Sequence, residues 1–246
     1  MHQIAFHRHV PTAFHVGHEE AKEQARYSVF GDYPDPTSPC KHYTAVTIST
    51  QGRSEAEAGL AALDALNLQR GVWNLGLNLG LWARPINQRR EPVNTVLLGP
   101  VHSLHRPNGE LMPRGIWFDN EYVEPTQTTK LQRQWDQVIQ YEGTVRSLLH
   151  RSSYRSQLEE FIRDYVRALD GREWTSAFMQ LWGLLERLTG TRPDESYEET
   201  IKRAAFLYHE SERGLHELVL NHLRSHRNRN VHAGERSDAA EAFLFS

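Results

Sequence analysis

Beyond Pro125 the apolar residues settle into a spacing of three and four, and strand signals disappear. Trp135, Val138, Ile139, Val145, Leu148 and Leu149 fall near one face of a helix over about 131–149, interrupted at Gly143. Tyr154, Leu158, Phe161, Ile162, Tyr165, Val166 and Leu169 form the stripe of a second helix, which Asp170-Gly171 ends. Further helices are expected over 173–188, 197–208 and 215–231, the last closed by Gly234 in the position of a left-handed cap, with a short amphipathic piece over 238–245. Short connections between amphipathic helices favour antiparallel neighbours, so residues 126–246 are expected to form a helical bundle.

The first 125 residues read differently. Tyr43 to Ser49 is rich in β-branched residues and reads as a strand, and Asn94 to Leu98 and Gly115 to Phe118 are further candidates. Between the last two lies Pro107-Asn108-Gly109, whose Asn-Gly favours positive φ and predicts a hairpin. Ser54 with Glu57 three residues on resembles a capping box for an Ala/Leu-rich helix to about Leu68, before Gly71. Leu75, Leu77, Leu79 and Leu81 alternate with Gly and Asn between Trp73 and Trp82, which fits a strand by period. The first forty residues offer little regular pattern and are expected to be partly irregular. The expected fold class is therefore α+β, with an α+β region over 1–125 followed by an all-α bundle over 126–246.

Composition narrows the function classes. With 28 Lys+Arg against 31 Asp+Glu, the chain has no overall attraction for nucleic acid, so such contact needs a local patch. A single Cys excludes an internal disulfide framework and a Cys-rich zinc module. No stretch reaches the roughly 18–20 apolar residues of a membrane helix, and the start lacks the apolar core of a signal peptide. The expectation is a cytoplasmic protein without membrane contact.

The run Arg227-Asn228-Arg229-Asn230-Val231-His232 is the one constellation with a chemical reading. Arg227 is a permanent cation with a planar fork suited to phosphate oxygens, and His232 can exchange protons near neutral pH. Five residues apart on an ideal helix, they point about 140° away from each other. They converge if the helix loosens at its end or if two chains meet. Asn228 lies nearly above His232, where its amide can orient the imidazole, while Arg224 and Arg229 add positive charge within a turn.

Arg-Asn-x-x-x-His at a helix end, inside a bundle of this size, resembles the motif of the HEPN superfamily. The wider pattern resembles the ApeA-like branch found in bacterial phage-defence systems. The resemblance is carried by Phe178 to Leu188, with Trp182 and Glu186, by Arg227 to Gly234, and by the upstream Gly52 to Ala58. It implies a metal-independent endoribonuclease, without cofactor, that cleaves RNA as a homodimer with its active site at the interface, in anti-phage defence by abortive infection. It implies Arg227, Asn228 and His232 as catalytic residues, Arg224 and Arg229 as RNA contacts, and Glu186 as a supporting residue that partners an arginine. The N-terminal region would be a sensor or regulatory domain. After His232 the chain reads Ala-Gly, which departs from the x-Tyr continuation of HEPN toxins modified by a nucleotidyltransferase.

Blander readings stand beside these. Arg227 can pair with Glu186 or Glu235 while His232 caps the helix end. His222 and His226 have the one-turn spacing of zinc ligands but lack a Glu beside the first, and read as a solvated face. His7, His9, His15 and His18 lack the Cys and carboxylate partners of a physiological metal site. Cys40 reads as inert, and Trp182 and Phe178 read as core or interface residues before base-stacking platforms. The alternative function is a non-catalytic HEPN-type module that binds RNA or a partner and serves assembly.

Overall fold

The computed structural model describes residues 3–28, 44–79, 93–99, 101–118, 135–171, 173–192 and 194–233. The class is α+β, with seven helices and two small antiparallel sheets among the described residues. The chain divides into two compact units, 1–70 with 96–126, and 71–95 with 127–246.

In the first unit β1 (Gln3–His7) pairs antiparallel with β2 (Ala45–Ser49), Ile4 opposite Ile48. Between them lies α1 (Thr12–Ser28), in a stretch whose sequence shows no helical stripe. Pro11 opens it, with its carbonyl accepting from the Phe14 N–H at 2.9 Å. The inward positions are Phe14, Gly17, His18 and Ala21, so small and polar residues mark its packed side and leave little apolar signal. A hairpin forms across the expected turn, with Gly109 at φ +91° in the reversal, but its first strand is not the one expected at 94–98. Its strands are β3 (Val101–His105) and β4 (Leu111–Phe118), and α1 packs against both.

The candidate strand at 94–98 is not one. Asn94 donates its side-chain amide to the Val166 carbonyl (2.6 Å) and to Asp170 Oδ1 (2.8 Å), and the Thr95 N–H donates to Asn74 Oδ1 (3.0 Å). Side chains and a helix end take the hydrogen bonds a strand partner would have taken.

The helix that starts at Ser54 does not stop before Gly71. It is α2 (Glu55–Asn78), entered as expected with the Glu57 N–H donating to Ser54 Oγ at 3.2 Å, while Glu57 accepts from the Arg53 N–H at 2.8 Å. The strand expected from Trp73 onward is therefore helical as far as Asn78. Val72, Trp73 and Leu77 are buried at helical spacing, whereas Leu79 is exposed. Gly71 has a packing reason to stand in a helix: a Cβ there would lie 2.6 Å from Ile162 Cγ2 and 2.9 Å from the Ile162 carbonyl oxygen. The alternation of leucine with small residues reflects close approach, not pleating.

The second unit continues with α3 (Trp135–Arg151), α4 (Arg155–Ala168), α5 (Trp174–Leu188), α6 (Tyr197–Ala205) and α7 (Glu210–Ala233). These are the expected helices with shifted ends, α7 starting five residues earlier than its apolar stripe. The segment at 238–245, Gly234, Glu235 and Cys40 lie outside the described residues. Helix α4 packs on α3 and α5, and α7 on α5 and α6. Val138, Ile162, Val166, Phe178, Trp182 and Ile201 supply buried apolar surface from α3 to α6, each worth about 1.5–3 kcal/mol on full burial. Glu173 caps α5, accepting from the Thr175 N–H at 3.1 Å and from the Ser176 N–H.

Candidate functional site

All five basic and amide residues of the expected site sit on the last three turns of α7. The backbone stays α-helical through Ala233, so the helix does not loosen between Arg227 and His232. At 100° per residue the two positions remain about 140° apart around the axis. Of the two routes to convergence, this removes unwinding within one chain and leaves the meeting of two chains. The side chain of His232 lies outside the described residues, as do those of Asn230 and Val231.

Arg227 faces the bundle. Its guanidinium carbon stands 4.7 Å from the centre of the Tyr197 ring, at the first residue of α6. A planar cation over a ring face is favourable. Nη1 donates to Asn228 Oδ1 at 3.4 Å, and Nε is buried with no hydrogen-bond partner among the described residues. No carboxylate among the described residues forms an ion pair with Arg227. Leaving a buried donor unsatisfied costs about 1–3 kcal/mol. Asn228, expected to orient His232, offers its amide oxygen to Arg227; its relation to His232 lies outside the described residues.

Behind Tyr197 an aromatic series leads into the core. Tyr197 meets the Trp182 ring edge-on at 6.2 Å, and Trp182 Nε1 donates to Glu186 Oε1 at 2.6 Å. Glu186 thus holds the indole that backs the tyrosine under Arg227, and the described contacts show it partnering a tryptophan where an arginine was expected. Phe178 and Trp182 are both core residues. The remaining cations differ in availability. Arg224 lies 3.9 Å from Glu198, and Arg229 is exposed without an ion pair among the described residues. With Arg227 they form a local cluster of positive charge that would attract a phosphate.

His226 was expected on a solvated face and is instead 1% exposed, with its ring edge-on to Phe178 at 5.1 Å. Burial, then the charges of Arg229 and His222, hold its imidazole below the ordinary histidine range, so it stays neutral. His222, one turn earlier, is exposed, and the two do not share a solvated face. The signal for His226 was its place three residues after the half-buried Leu223. Among the described residues no group of three or more His, Cys, Asp or Glu side chains has the geometry of a metal site. Nor, among them, is any helix long and apolar enough to cross a membrane.

No family model, curated protein or solved structure matches the chain.

Proposed function

We propose that the chain is an endoribonuclease that needs no metal and works as a homodimer, with Arg227 of one protomer and His232 of its partner acting on one phosphodiester. RNA carries its own nucleophile in the 2′-hydroxyl, so the protein has only to move protons and stabilise charge. His232 takes the 2′-hydroxyl proton or supplies one to the leaving 5′-oxygen. Arg227 stabilises the phosphorane oxyanions, a role typically worth several kcal/mol of barrier. The products are a 2′,3′-cyclic phosphate and a 5′-hydroxyl. Arg229 and Arg224 attract the flanking phosphates. The resemblance to HEPN proteins alone supports a cytoplasmic setting in phage defence by abortive infection.

The observation that carries this reading is the Arg227 guanidinium, placed over the Tyr197 ring with Nε buried and without a hydrogen-bond partner, and with no carboxylate ion pair among the described residues. An arginine serving only structure would be expected to pair. The test is RNA cleavage by the purified chain in excess EDTA, compared with Arg227→Ala and His232→Ala. Loss of cleavage in both variants, with unchanged circular dichroism and cyclic phosphate ends from the parent, is the expected result. Cleavage that needs a specific divalent ion, or survives in both variants, would overturn it.

A second reading, a non-catalytic module that binds RNA or a partner for assembly, has its own support. Leu215 and Leu218 on α7 are 63% and 70% exposed, a density of apolar surface that marks interaction sites. It predicts RNA or partner binding without cleavage.

A further inference from the structure

The hairpin of the first unit carries a second arrangement with chemical meaning, independent of α7. Ser103 and His105 are two residues apart on β3, where alternate side chains share a face. His105 Nε2 lies 2.8 Å from Ser103 Oγ, and His105 Nδ1 lies 3.2 Å from the Gly109 carbonyl oxygen. A carbonyl only accepts, so Nδ1 carries the hydrogen. In the neutral ring Nε2 is then the acceptor, and the Ser103 hydroxyl donates to it. His18 of α1 approaches Ser103 Oγ from another side, Nδ1 at 3.4 Å, as a donor to the oxygen that has given its own hydrogen to His105.

The ring of His105 is held from several sides. Phe14 lies against it with ring centres 5.4 Å apart, and at Gly17 a Cβ would stand 2.9 Å from His105 Cε1. The β3–β4 register shifts between Ser103 and His105, an irregularity of the kind that re-aims side chains. All three polar side chains are half-buried.

We propose that Ser103 is an activated nucleophile, with His105 as its general base and the Gly109 carbonyl fixing the tautomer, and that this face hydrolyses small carboxylic esters. Nucleophile, base and orienting group stand in the relation that activates serine elsewhere. The third group is a neutral carbonyl, which stabilises an imidazolium less than a carboxylate does. The class is therefore esters with good leaving groups, and amides are excluded. Ser103 Oγ bonds to the acyl carbon while its proton passes to His105 Nε2. The bond to the leaving oxygen breaks, and that oxygen takes the proton from Nε2. Water then attacks the acyl-serine, giving its proton through Nε2 back to Ser103 Oγ and releasing the carboxylic acid.

The full chain mixed with p-nitrophenyl acetate should release a burst of nitrophenolate near one per chain, with the acetyl group mapping to Ser103 by peptide mass spectrometry. Ser103→Ala should abolish the burst, and His105→Gln should slow acylation by about a hundredfold or more, as for loss of a general base. His232→Ala should leave the burst unchanged, which separates this site from the α7 reading. If either hairpin variant fails to fold, the parent decides alone: Ser103 should acetylate far faster in the folded chain than in urea. Ser103 unlabelled in the folded parent, labelled there no faster than in urea, or labelled at the parental rate in folded His105→Gln, would overturn the proposal.

Discussion

Replacing His226 by alanine should destabilise the helical unit, because this imidazole is 1% exposed and packs edge-on against Phe178. Truncating a fully buried aromatic ring costs about 3–5 kcal/mol, and an edge-on aromatic pair contributes about 0.5–1.5 kcal/mol of that kind of loss. An imidazole is smaller and more polar than a phenyl ring, so about 2–3 kcal/mol is expected. At 2–4 °C per kcal/mol for a chain of this size, the melting transition should fall by about 4–12 °C. His222→Ala, one turn away and exposed, should stay within about 0.5 kcal/mol. The assay is thermal unfolding by circular dichroism at a pH well above the ordinary imidazole value of about 6.5, where the ring is neutral folded and unfolded. The pH dependence has a definite sign. Because His226 is held below its ordinary value in the fold, the unfolded chain binds the proton more readily. Its neutral form supports the fold fully above about pH 6.5, and stability falls as pH drops through that value toward the lowered one. His226→Phe should keep the ring contact and flatten this part of the acid limb. Equal melting of His226→Ala and His222→Ala, or an acid limb unchanged in His226→Phe, would show that the buried ring does not support the fold in this way.

Two other perturbations test the packing of the same unit. Gly71→Ala gains about 1 kcal/mol of helix propensity but drives a Cβ to 2.9 Å from the Ile162 carbonyl oxygen, which cannot rotate away. Overpacking at about 1–3 kcal/mol should win, so urea unfolding should show net destabilisation, and a stabilised variant would contradict the close approach. Thr200 is fully buried and joins Thr191 Oγ1 at 2.8 Å, which joins Thr189 Oγ1 at 2.9 Å. Thr200→Val keeps the shape and removes the hydroxyl, and should cost about 1–2 kcal/mol in the same assay; a neutral effect would mean that this hydroxyl chain contributes nothing.

What the sequence disclosed depended on how apolar each packed face is. Helices α4 and α5 announce themselves because Phe161, Ile162, Val166, Phe178 and Trp182 put large apolar groups at helical spacing. Helix α1 does not, since Gly17, His18 and Ala21 do that work. The last two turns of α2 gave a false period, because Gly71 and Gly76 stand where Ile162 and Tyr141 come close. The hairpin turn was legible from Asn108-Gly109, but not its first strand, whose inward positions include Ser103 and His105. At the candidate site, the spacing of Arg227 and His232 already held the geometric difficulty that a continuous α7 sharpens. The cation contact between Arg227 and Tyr197 was out of reach, since thirty residues separate them and no local pattern links them.

If one active site takes Arg227 from one chain and His232 from another, mixing two inactive variants should restore it. Arg227→Ala and His232→Ala chains, each inactive alone, are unfolded, mixed in equal amounts and refolded, and RNA cleavage is measured in EDTA. Half of randomly paired dimers are mixed, and each mixed dimer holds one site with both native residues and one with neither. About a quarter of the parental rate should return. Mixed dimers that form, as shown by mass, yet stay as inactive as either variant alone would contradict it.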